Sequence, residues 1–245
     1  MGEVISSGAD VARIDEHIHA AYDNAMARGG DIAAAAVDRL GPAITAIDGA
    51  SLLLKSARKT ASAAWVLVLA EDTRADTGIG GVRDAMWNAL GRPRQSPNMD
   101  EVYPGGVGIY TSGDPRGQPL LMKILQARIL SAAAPQWAAI NRQAWAAEIE
   151  ALQAPYAAAV EAHRPAEASE IVADAGYRAA VRSGHSRLGS FKRDLKSLGL
   201  TETQIHELIP DDGAGKAGPK AKAANVDAAP KGEPAPSVEP APAPR

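Results

Sequence analysis

Glu16-His17-Ile18-His19 sets a carboxylate and an imidazole three residues apart. This is the Glu-x-x-His spacing with which helices of a di-metal carboxylate bundle hold their ions, and such a centre also needs a second Glu-x-x-His and two more glutamates on facing helices. The chain has no second copy of that spacing. At about 100° per residue, Glu16, His19 and Asp23 fall on the flank of the apolar stripe and not within it, as on an ordinary solvated helix face. No metal or other cofactor is expected. His163, His185 and His206 could move protons, but none accompanies a Gly-x-Ser-x-Gly nucleophile signature. His163, just before Arg164-Pro165, suits the terminal carbonyls of a helix. Gly78-Ile79-Gly80 lacks a third glycine and Gly-Lys-Ser/Thr is absent, so a phosphate loop is not expected. With no cysteine, thiolate metal sites, cysteine nucleophiles and disulfides are excluded. No catalytic residue is assigned, and the expectation leans away from an enzyme.

Two regions gather polar groups. In residues 92–119, five prolines and five glycines erase the helical pattern. Asp100, Glu101, Tyr103, Tyr110, Asp114 and Arg116 there could line a small binding site or clasp a partner. The alternative is a long connection that packs Tyr103, Ile109 and Tyr110 over one end of a bundle. Pro104-Gly105-Gly106 between two short apolar runs reads as a hairpin. Between residues 176 and 200, Arg178, Arg182, Arg187, Lys192, Arg193 and Lys196 face only one acid, Asp194. Two helices in 186–209 meet at Gly199, and Thr201 with Gln204 spells a capping box. The pair resembles a helix-turn-helix hairpin, which implies a DNA-associated factor using 176–209, with its first helix on phosphates. Its second helix presents Glu202 and Glu207 and no Arg or Lys for base edges. The other reading is a hairpin that closes a bundle with a solvated basic face.

Composition decides what must position these groups. Alanine supplies 52 of 245 residues against one Phe, five Tyr and four Trp, and good helix formers dominate over strand formers. The expected fold is an all-α multi-helix bundle over 10–209, with one long irregular loop. Residues 1–9 are a flexible start, and 210–245, with eight prolines and no Leu, Ile or aromatic residue, form a disordered Pro/Ala-rich tail. Asp10 caps a helix over 10–28 that stops at Gly29-Gly30, and a second helix reaches Gly41-Pro42. Steps of three and four then mark a long helix over 42–76, interrupted in its seam by Ser51 and Arg58. Further helices are expected over 82–90, 120–134, 136–163, 166–183, 186–198 and 201–209. Pro155 should kink or split one of them, and Gly78-Ile79-Gly80-Gly81 and Arg164-Pro165 should end others.

A net charge of -3 gives no global footprint for nucleic acid or an anionic membrane. The longest apolar run, 61–70, is too short to span a bilayer. Met1 to Ala9 lacks a basic stretch followed by an apolar one, so a cytoplasmic location is expected. The Ala-, Arg-, Gly- and Pro-rich composition fits a bacterial genome of high GC content. The function that follows is a non-enzymatic structural or protein-interaction component, acting through a protein partner or self-association. DNA association through 176–209, and small-molecule binding or catalysis by the 92–119 loop, are the alternatives.

Overall fold

The computed structural model describes residues 4–94, 96–138 and 140–210. The tail expected over 210–245 lies outside them apart from Pro210, as do the first three residues of the expected flexible start. The described chain is all-α. Its helices are α1 (Val11–Arg28), α2 (Gly30–Arg39), α3 (Gly41–Ala89), α4 (Pro97–Val102), α5 (Gly108–Thr111), α6 (Gln118–Ser131), α7 (Arg142–Ser197) and α8 (Glu202–Leu208), with a 3-10 turn at Pro135–Trp137.

α3, of 49 residues, and α7, of 56, pair antiparallel along most of their length. Their shared seam repeats every seven residues, the spacing that keeps one stripe facing a partner helix. On α3 it runs through Ile47, Leu54, Ala61, Val68, Ala75 and Val82, all buried. On α7 it runs through Ala146, Gln153 and Val160, and again through Val181, Leu188 and Leu195. Two cores form at opposite ends of the pair. One gathers α4, α5, α6 and Trp137 around Ile79, Met86, Tyr110, Leu125, Ile149 and Tyr156. The other gathers α1, α2 and α8 around Ile18, Leu40, Ile47, Leu188 and Phe191. Between them lies a waist, about 48–67 of α3 against about 161–180 of α7, built of these two helices.

Local chemistry sets the ends of the elements. The Asp10 carboxylate accepts from Ala12 N–H at 2.8 Å and starts α1. Gly29 and Gly30, at φ 75° and 56°, turn the chain between α1 and α2, a conformation that costs glycine little. α7 ends in a Schellman motif: Leu200 N–H donates to Leu195 O and Gly199 N–H, at φ 85°, to Lys196 O. The capping box of Thr201 and Gln204 then starts α8.

Several expected breaks are absent. α3 runs through Gly78-Ile79-Gly80-Gly81 because Ala75, Ile79 and Val82 are buried, and Gly78 lies directly under the Leu152 side chain. That packing outweighs the roughly 1 kcal/mol each helical glycine costs. α7 likewise continues through Pro155 and Pro165. The carbonyls those prolines leave without an N–H partner belong to Ala151 and Glu161, both exposed residues, where solvent is the available partner. The segments expected over 136–163, 166–183 and 186–198 are thus largely one helix. In 92–119 no strand forms among the described residues, and the expected hairpin is replaced by α4 and α5. Ser96 followed by Pro97 is a helix start, and the Ser96 hydroxyl accepts from Met99 N–H at 3.2 Å.

Candidate functional site

The six loop residues divide among three places. Glu101 serves the core end: its carboxylate accepts from Ala133 N–H at 2.7 Å and from the Trp137 indole at 3.1 Å. The Ala133 bond, joined by the Trp137 indole, holds its carboxyl below the usual carboxylate range. Tyr103 and Tyr110 are buried edge-to-face, with ring centroids 5.8 Å apart. Burial pushes both phenols up. Arg116 instead faces α7, and exposed Asp114 accepts from Arg116 N–H at 3.0 Å. Arg116 pairs with Glu167 at 2.8 Å and lies over the Trp65 ring at 4.7 Å, while Trp65 meets the His163 ring at a tilt of 52°, with centroids 5.1 Å apart. Asp100 lines a cleft of about 890 Å³ between the end of α3 and the loop, where the cations are Arg83 and Arg94. Of the six, Tyr103 alone joins it there.

The basic residues are also dispersed. Arg178 pairs with Asp174 at 2.6 Å, and Lys192 and Lys196 both reach Glu202, at 3.7 and 2.5 Å. The Lys196 bond holds the Glu202 carboxyl down. Arg193 donates to the Ser190 hydroxyl, and Arg187, on another face of α7, donates to Arg39 O at 3.4 Å. Arg182 lines a recess with Ser7, Ile14 and His185.

His19 has a structural task. Its two ring nitrogens lie 2.8 Å from Asp15 and 3.1 Å from Asp48, which ties α1 to α3. Burial pulls its pKa down, but these oxygens outweigh it and the net shift is upward. Among the described residues no cluster of three or more His, Asp or Glu could hold a metal ion.

The chemistry of the waist was not read from the sequence. Its α7 seam is polar, carrying Glu167, Glu170, Asp174 and Tyr177, all half-buried. Arg58 meets Glu170 at 3.5 Å and Asp174 at 3.4 Å, and the Tyr177 hydroxyl donates to Asp15 at 2.7 Å. Those groups lie on one side of the helix pair. On the other side, a groove of about 670 Å³ runs between the helices, lined by Ala50, Leu53, Ser56, Ala57, Ala168, Ser169, Val172, Ala173 and Gly176. None of the nine is charged, and all belong to α3 or α7. Leu53 and Val172 are 68% and 71% exposed. The available signal was the runs Leu52-Leu53-Leu54 and Ile171-Val172, in which the seam takes Leu54 alone and leaves the other four exposed.

No protein-family model, curated protein or solved structure matches this chain. No described helix is long and apolar enough to cross a membrane.

Proposed function

We propose that this chain is a non-catalytic structural or protein-interaction component of the bacterial cytoplasm, whose contact surface is the groove side of the α3–α7 waist. One observation carries the reading: a two-helix layer leaves bulky aliphatic side chains, Leu53 and Val172, facing water beside a floor of alanine, serine and glycine. Contiguous apolar surface on a folded chain marks an interaction site. The ion pairs on the other side of the waist support the same reading, because they leave the groove as the uncharged face. The loop carboxylates and the basic residues of α7 are largely engaged within the fold, which gives the ligand and DNA readings less to work with.

The test is affinity purification of the full chain beside a variant carrying Leu53→Glu and Val172→Glu. A reproducible partner, this chain itself included, that is retained by the parent and lost from the variant supports the reading. An identical partner set from both, with helicity unchanged, overturns it.

A further inference from the structure

We infer that the partner on the waist groove is a second copy of this chain, the two waists stacking face to face as a four-helix layer. The inference rests on the proposed interaction role and names its partner.

Four observations carry it. The groove walls come from α3 and α7 alone, so no third element of the described fold covers them. The elements that do reach the waist do so on the other side: α1 through Asp15–Tyr177 and His19–Asp48, and Arg116 through Glu167 and Trp65. The groove lining bears no charge, so it offers nothing to select an acidic or a basic partner. It holds both halves of a packing match, with Leu53 and Val172 as knobs and Ala50, Ala57, Ala168, Ala173 and Gly176 as hollows. A surface that is its own complement suits a two-fold interface, in which the same patch is used by both copies.

Geometry agrees. A two-fold axis lying in the groove face sets every helix antiparallel to the one it covers, the arrangement of an antiparallel four-helix bundle. About 20 residues of waist at about 1.5 Å each give a length of about 30 Å, and two helices side by side give a width of about 20 Å. If the whole waist face is covered, of which the groove segments 50–57 and 168–176 are a part, each copy offers about 600 Å², or about 1,200 Å² in total, the lower edge of the range for specific stable interfaces. Packing quality and not area sets the affinity of such a pair, so the test spans a wide range of concentration.

Sedimentation velocity of the full chain at about 1 µM and about 100 µM tests this. The expected result is a shift from monomer to dimer with concentration. The Leu53→Glu and Val172→Glu pair, which buries four carboxylates per dimer, should weaken it at least about 100-fold. Ala168→Lys, at another exposed groove position, should weaken it too, while Leu130→Glu, on exposed α6 surface, should leave it unchanged. Equal far-UV circular dichroism certifies that each variant is folded. A chain that is monomeric at both concentrations overturns the inference, as does a dimer indifferent to the groove variants. If the chain stays monomeric while the groove variant still loses a different protein in affinity purification, self-association falls alone and the interaction role stands.

Discussion

Gly184 is the sharpest test of how closely α1, α3 and α7 meet. A Cβ at this position would stand 2.8 Å from Ile18 Cδ1, 3.0 Å from Ile47 Cδ1 and 3.6 Å from Ala43 Cβ. Both isoleucines are fully buried, so their methyl ends have little room to retreat. Gly189 is also inside α7, but a Cβ there meets nothing within 4 Å. Replacing either glycine by alanine gains about 1 kcal/mol of helix propensity. At Gly184 the extra methyl also overpacks the core, at about 1 to 3 kcal/mol. The propensity gain is common to both, so the difference between Gly184→Ala and Gly189→Ala isolates the packing cost. It should lie near 1 to 3 kcal/mol, or about 2 to 12 °C in Tm for a chain of this size. Thermal and urea unfolding followed by circular dichroism would measure it, and Gly184→Val should be worse than Gly184→Ala. If Gly184→Ala stabilises as much as Gly189→Ala, the three helices do not approach as described.

Trp137→Ala should cost about 3 to 5 kcal/mol, because the indole is buried and donates to Glu101, while Trp65→Ala should cost less than about 2, its ring being only partly buried. Urea denaturation of both variants checks the order. His19 faces oxygens on both nitrogens, so only the imidazolium donates to the Asp15 backbone carbonyl and the Asp48 carboxylate together. Its folded pKa is raised; the stabilisation is therefore fully present below about pH 6.5, the unfolded value, and is lost as pH rises through the folded value. His19→Gln should flatten the stability-pH curve in that window, and an unchanged curve would remove His19 as its source. The Arg142 guanidinium donates to Ile129 O, Leu130 O and Ala132 O, closing the C-terminus of α6. Arg142→Ala should cost about 1 to 3 kcal/mol and raise amide exchange in the last turn of α6.

Local signals were readable where a single side chain decides the backbone. Asp10, Gly29-Gly30, Gly199 and the Thr201/Gln204 box each act within one turn, and each is found where its chemistry places it. Ser96-Pro97 carried the same kind of signal for α4 and was overshadowed by the glycines that follow it. The continuity of α3 and α7 was not readable, because Pro155, Pro165 and Gly78 are breakers by local propensity and only packing against the other long helix overrides them. The polar seam was half visible. Ser51 and Arg58 stood out as interruptions, but the meaning of Arg58 depended on Glu170 and Asp174, over a hundred residues away. The groove was hidden for a similar reason. Leu53 and Val172 read as ordinary apolar helix residues until it is known that only two helices pass through the waist, which leaves them facing water.

The central claim is that the waist groove is an interface, and hydrogen exchange read by mass spectrometry at about 1 µM and about 100 µM tests it most directly. Backbone amides around 50–57 and 168–176 should exchange more slowly at the higher concentration, while those of α1 and α6 stay unchanged. Exchange in the groove segments that is the same at both concentrations, or protection that falls on α6 or α8 instead, would contradict it.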